Sequence, residues 1–389
     1  MALLIDGWYI PGMRNLAQLH CAGCGREFYG DLAAGQALYT PMLLEKAAGV
    51  VHDPHGVPWF ADWLRDSYAS RTSTPLRFEQ EEVAPVTRHP LLLNCLDTLY
   101  GHCLLKLLNA QHYLNHRPDL DLIILVPSLL RWMVPAGVAQ IWTIDLPLRR
   151  GLEWNDWLAR EISRRVESFG GASLSVAHSH PHPDDYDIEH FTRVKPFPLD
   201  EWERRLTSPT VTFVWREDRL WPGADQTTPA RFGRIFTPAE TAVERQRRLV
   251  TGLAEALRTE HPTIDFAVVG LGKAAGLPAW IADMRRDELD AGTERAWCLR
   301  YADSHLVVGT HGSHMLLPSA HAGGVVELIG TQRWGNFLQD ILFRTSDCRE
   351  MFFRYRFVAE STTPAALAQL ASSVLTGYSP FRNLMRERV

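Results

Sequence analysis

Apolar residues recur along this chain in two rhythms, short unbroken runs and three- to four-residue steps, and the two alternate. Leu122–Val126 (LIILV) has no polar residue, as a strand covered on both faces requires, and Ala139–Leu146 and Ser173–Ala177 follow as further strands. Leu93, Leu96, Tyr100, Leu104, Leu107 and Leu108 fall at helical steps and predict one long helix over 91–114, with an amphipathic helix over 153–169. After a polar stretch at 179–199 the alternation restarts. Strands are expected at Val211–Trp215, Ile264–Val269, His305–Val308 and Val325–Ile329, with an edge strand at Phe352–Val358. Helices are expected at Pro238–Thr259, Pro278–Met284 and Pro364–Leu375. Such alternation predicts parallel sheets with crossover helices. The expected fold is α/β, with two Rossmann-like doubly wound domains in series, 81–200 and 201–389, the second ending in a closing helix. Residues 1–80 are expected to be an irregular segment packed on the first domain, with helical spacing only at Trp59–Tyr68. Ligands of open α/β sheets sit at the carboxyl ends of strands, so the site is expected in a cleft faced by both domains.

Composition narrows the function. A chain of 389 residues with 46% hydrophobic and 22% charged residues fits two globular domains, and a net charge of −5 argues against nucleic acid as a partner. The most apolar stretch, 120–142, is broken by Pro127, Arg131 and Pro135, so no transmembrane span is expected. Met1–Gly12 lacks a basic region followed by an apolar core, which points to a cytoplasmic protein with its six cysteines reduced.

The densest chemistry lies in Tyr301–Ile329, YADSHLVVGTHGSHMLLPSAHAGGVVELI. An apolar strand meets the turn Thr310-His311-Gly312-Ser313, then a small-residue helix, then a second strand ending near Glu327. Glycine at such a turn lets the backbone approach a ligand, and Ser313 can cap the helix or donate to that ligand. This run resembles the donor-site signature of the GT-B-fold glycosyltransferases that include plant xylan xylosyltransferases and the GlcNAc transferases acting on EGF domains or O-mannose. His311, Gly312, Leu316, Leu317, Val326 and Glu327 match the pattern, while Ser313 and His314 depart from it. The strand and arginine of Phe213-Val214-Trp215-Arg216-Glu217-Asp218-Arg219 also resemble the opening of the second domain in GT-B enzymes, fucosyltransferases included.

That resemblance implies a glycosyltransferase, hexosyl- or pentosyltransferase, that is inverting, needs no metal for catalysis, and moves a sugar from a nucleotide-sugar donor to a glycan or protein acceptor. Arg216 and Arg219 would neutralise the charge that builds on the β-phosphate as the sugar leaves, unless Glu217 and Asp218 simply pair with them. Lys273, after two glycines at a strand end, is a second diphosphate candidate, although P-loop spacing is absent. Glu327 would accept from donor hydroxyls, or be a buried acid with a structural partner. For the base that takes the acceptor proton, Asp97 and His102 are the candidates.

Two other features invite a metal. His178, His180, His182, Asp184, Asp185 and Asp187 crowd one loop, the basis of an alternative reading as a metal-dependent hydrolase over 178–190. Pro181 and Pro183 there favour extended backbone that splays ligands apart. Cys21 and Cys24 form a lone CxxC, a candidate structural zinc pair that would need two more ligands, from His20, His52 or His55. A protein that binds nucleotide-sugar without turnover is the remaining alternative.

Overall fold

Strand order settles the architecture of each half. The computed structural model describes residues 2–32, 42–54, 56, 58–177, 181–223, 241–342 and 347–386. The chain divides into two compact units, Met1–Phe191 and Thr192–Val389.

The first unit opens with β1 (Leu3–Tyr9), β2 (Leu16–Cys21), β3 (Glu27–Asp31), β4 (Leu43–Glu45) and β5 (Val51–His52), an antiparallel sheet in chain order. This corrects the expectation of an irregular segment: short strands between turns carry too few residues for their alternation to stand out. Helix α1 (Pro58–Ala69) buries Phe60 and Leu64 with Leu16, Tyr29, Met42, Leu44 and Trp154, while Trp59 and Trp63 stay exposed.

Then follow β6 (Phe78–Glu82), β7 (His89–Asn94), α2 (Tyr100–His116), β8 (Leu120–Pro127), β9 (Gln140–Ile144), α3 (Asp156–Glu167) and β10 (Ser173–Leu174). Their sheet runs β10-β7-β8-β9-β6, parallel except for the antiparallel edge β6. The single helix expected over 91–114 is in fact β7 and α2. Leu91, Leu92 and Leu93 pair with Leu122, Ile123 and Ile124 in mid-sheet, where a leucine run serves a strand as well as a helix. Asp97 separates the two elements, its Oδ1 accepting from the Thr98 and Leu99 backbone N–H groups.

The boundary helix α4 (Ile188–Thr192) and α5 (Trp202–Arg205) lead into the second unit. It contains β11 (Thr210–Trp215), α6 (Ala242–Glu260), β12 (Asp265–Leu271), β13 (Ala282–Arg286), α7 (Ala291–Asp303), β14 (Leu306–Thr310), α8 (Leu316–His321), β15 (Gly324–Ile329), α9 (Cys348–Arg354), β16 (Tyr355–Ala359) and α10 (Pro364–Arg386). Residues 238–240 of the expected 238–259 helix lie outside the described residues. All six strands are parallel in the order β13-β12-β11-β14-β15-β16. Counted from β11, that is 3-2-1-4-5-6, the doubly wound order of dinucleotide-type folds.

The helix expected at 278–284 is instead a turn running into the edge strand β13, whose Arg285 pairs with Asp283 and lies over the Trp215 ring. Val307, Val308, Val325 and Val326 at the sheet centre are fully buried, each contributing about 1.5–3 kcal/mol relative to an exposed side chain. The closing helix α10 packs along α6, burying Leu367, Ala371, Val374 and Tyr378. Among the described residues no helix is long and apolar enough to cross a membrane, and the six cysteines are unpaired.

Candidate functional site

In a 3-2-1-4-5-6 sheet the connections from strands 1 and 4 depart to opposite sides, opening a crevice beyond their carboxyl ends. Here those ends are Trp215 and Thr310, and the segments that leave them are Arg216–Arg219 and His311–His314. The two strands are neighbours, Val214 pairing with Gly309. The topology of this unit therefore brings together residues about ninety positions apart that the sequence marked separately.

Side chains tie the two segments. Arg216 Nη1 meets His314 Nδ1 at 2.7 Å, and its Nε and Nη2 donate to the Asp218 carboxylate. Arg219 Nη1 donates to the His311 carbonyl, and Thr310 Oγ1 donates back to the Arg219 carbonyl at 3.1 Å. Gln246 on α6 braces the same loop, Nε2 donating to the Arg216 carbonyl and Oε1 accepting from the Trp221 N–H. The Asp218 pairing foreseen as the bland alternative does exist. It coexists with the His314 contact and fixes the plane of the guanidinium.

His314, a departure from the signature, gains a purpose here. Burial and the neighbouring Arg216 and Arg219 charges hold it well below the usual imidazole range, so it is neutral. With Nδ1 accepting from Arg216, Nε2 carries the proton, and that buried atom has no hydrogen-bond partner among the described residues.

Gly312 sits under both guanidiniums. Its φ is +148°, and a Cβ there would lie 2.5 Å from Arg219 Nη1 and 2.9 Å from Arg216 Nη1. Gly312→Ala is expected to strain this turn as well as displace the arginine tips, lowering the melting temperature and weakening anion binding by about tenfold or more, the scale of one charge-assisted hydrogen bond. Calorimetric titration with nucleotide beside a melting curve checks this. Unchanged affinity would mean that neither arginine meets the anion.

Glu327, on β15, is fully buried, with Oε2 2.5 Å from His311 Nδ1 and Oε1 accepting from the Tyr355 hydroxyl. Burial raises its pKa, and the two hydrogen bonds oppose that rise. Both carboxylate oxygens are thus engaged, Oε2 by the His311 ring and Oε1 by Tyr355, a partner that sequence spacing did not suggest. Ser313 starts a 3₁₀ turn whose N-cap position is Gly312, so of the two roles open to the serine it does not take the cap. Lys273 is exposed in the loop after β12, next to Gly272, whose missing side chain makes room for Glu217 and Trp215.

In the first unit, the other two candidates come together at the carboxyl end of β7. His102 Nδ1 lies 3.3 Å from Asp97 Oδ1, and Lys106 Nζ lies 2.9 Å from Asp97 Oδ2. Burial pushes the Asp97 pKa up, but Lys106 and His102 outweigh it and hold the carboxyl well below the usual range. Asp97 and Lys106 are buried, whereas the His102 side chain is 28% exposed, so the imidazole is the member able to meet a substrate. Lys106 sits within the apolar steps of α2, which hid it from a reading by pattern.

Cys21 and Cys24 face each other across a turn. Backbone N–H groups of Cys24 and Gly23 lower the Cys21 pKa, yet no third His, Cys, Asp or Glu ligand gathers with the pair among the described residues. His20 instead bonds Asp6 at 2.8 Å, His52 lies 3.9 Å from Glu45, and His55 is outside the described residues, as are His178 and His180.

No family model and no curated protein matches the chain. Among solved structures it is similar to E. coli ADP-heptose LPS heptosyltransferase II, at 13% identity and TM-score 0.39 over 75% of this chain and 99% of that one. It is also similar to E. coli heptosyltransferase WaaC with ADP, at 12% identity and TM-score 0.40 over 73% and 99%. A glycosyl transferase family 9 protein from Veillonella parvula gives 8% identity and TM-score 0.40 over 76% and 99%. The fold of each unit follows from the sheet orders above.

Proposed function

We propose that this protein is a glycosyltransferase that binds a nucleotide-sugar through the β11–β14 end of its second unit and transfers the sugar with inversion, without a catalytic metal. The observation that carries the reading is the pair Arg216 and Arg219, held over the Gly312 turn at the switch point of a parallel sheet. Two guanidiniums and a neutral His314 donor suit a diphosphate whose negative charge grows as the sugar departs. The motif resemblance at Tyr301–Ile329 supports the same assignment. Glu327 and Thr310 are positioning residues in this scheme, orienting His311 and the arginine loop, and Lys273 adds an exposed cation at the neighbouring strand end. The base that accepts the acceptor's hydroxyl proton is His102, oriented by Asp97.

Melting curves with UDP, GDP, ADP, CMP and dTDP test the reading, because a ligand that binds only the native state at a hundred times its Kd stabilises it by about 2.7 kcal/mol. One nucleotide diphosphate should raise the melting temperature in EDTA as well as without it. If none does, the donor site is wrongly assigned.

A further inference from the structure

On the first unit, away from Asp97 and His102, the last turns of α2 carry His112 and His116, one helical step apart, beside Asp185 of the turn Pro183–Asp185. One ligand atom from each residue lies within 4.8 Å of the others, and His112 Nδ1 is 3.7 Å from Asp185 Oδ1. We propose that these three side chains form a binding site for one zinc-class divalent ion, which staples the 181–187 segment to α2.

Residues four apart on a helix share a face, so the two imidazoles project side by side, their ring centroids 4.9 Å apart. Zinc bonds to nitrogen and carboxylate oxygen at about 2.0–2.2 Å, which sets tetrahedral ligand atoms about 3.4 Å apart. The present spacing, 4.8 Å at most, is about 1.4 Å wider than that at its longest. The third ligand is held in advance: Tyr186 is buried, and the Asp187 N–H donates to Gln111 Oε1 of α2 at 2.6 Å, which fixes the turn carrying Asp185. Tyr113 stands edge-on to the His112 ring and limits its swing.

The local field also favours a cation. His116 lies in the last turn of α2, the negative end of the helix dipole. The adjacent Arg117 is engaged by Asp119 at 2.8 and 2.9 Å, which offsets its repulsion. Two imidazoles and one carboxylate select zinc, cobalt or nickel over magnesium and calcium, which prefer all-oxygen sets. Three protein ligands leave one tetrahedral position to water. The crowded loop thus finds convergent partners not in its own histidines but on a helix some seventy residues earlier.

Cobalt(II) titration followed by visible absorption, with zinc calorimetry, on the full chain carrying C21S and C24S removes the other candidate thiol ligands. About one ion per chain should bind, insensitive to excess magnesium. His112→Ala and His116→Ala should each weaken binding at least tenfold, since losing even a supporting contact costs about 10–100-fold. Asp185→Asn should weaken it in the same direction, and circular dichroism of these exposed-site variants should match the parent. Absence of saturable uptake, or uptake unchanged in the double histidine variant, overturns the site. Metal uptake is read without any transfer assay or nucleotide, so its failure and the failure of the glycosyltransferase reading are separate results.

Discussion

Replacing Arg216 with lysine is expected to slow sugar transfer by about a hundredfold, the scale of losing one preorganised donor to a developing anion, while the melting temperature stays close to that of the parent. A guanidinium has five N–H donors in one plane. Three of them are taken by Asp218 and His314, leaving one hydrogen on each of Nη1 and Nη2 at a fixed angle. Those two can meet two diphosphate oxygens together. An ammonium is a point charge on a flexible stem and keeps the attraction but not the geometry. Charge on the β-phosphate is greatest as the sugar leaves, so the loss should fall more on turnover than on nucleotide affinity. The arginine side chain is 20% exposed at a strand end and contributes little to the core. Steady-state transfer and calorimetric nucleotide binding on both proteins separate the two effects. Near-parental turnover would reduce Arg216 to a surface partner of Asp218.

The elements around this site were legible in the sequence because its strands are covered on both faces. Short runs dominated by β-branched and aromatic residues at Val211–Trp215 and Val325–Ile329, each interrupted by a single polar residue (Thr212 and Glu327), read as strands in an alternating chain, and each forms a strand within a residue of its expected start. What failed did so for identifiable reasons. Leu91-Leu92-Leu93 fits helix and strand alike, and only the Asp97 turn, formed by hydrogen bonds to its own backbone, divides them. Helix α7 is masked in the sequence: Glu294, Trp297, Cys298 and Tyr301 are buried at helical steps, but a glutamate in the first of these positions weakens the apolar stripe. Arg216, Arg219 and His311 could be picked out singly by residue type. Their meeting could not, since it depends on β11 and β14 lying side by side, and that is a property of strand order. Partners such as Tyr355 and Gln246 enter only through that order.

Lys106→Met should destabilise the protein by about 3–5 kcal/mol at neutral pH, the range for breaking one side of a buried ion pair. Lys106 and Asp97 have side-chain exposures of 0% and 1%, and the ammonium also donates to the Leu96 carbonyl at 2.7 Å. Methionine fills nearly the same space, so the loss is electrostatic: a carboxylate stays in the interior with only the partly exposed His102 beside it. The pH dependence fixes the cause. In the parent, Asp97 has its pKa depressed on folding, so its contribution is present above the ordinary carboxyl value of about 4 and is lost as pH falls through and below that value. In the variant the depressing charge is gone and burial raises the pKa, so Asp97 binds its proton more tightly folded than unfolded. The variant's deficit should therefore shrink as pH drops from 7 towards 5, where its Asp97 becomes neutral while the parent's stays charged. Asp97→Asn added to Lys106→Met should recover part of the loss at pH 7, since an amide is far cheaper to bury than a lone carboxylate. Urea melts of the parent and both variants at the two pH values measure all of this. A deficit that is the same at pH 5 and pH 7, or a double variant no more stable than the single one, would show that Lys106 acts through packing and that Asp97 is not held as an anion by it.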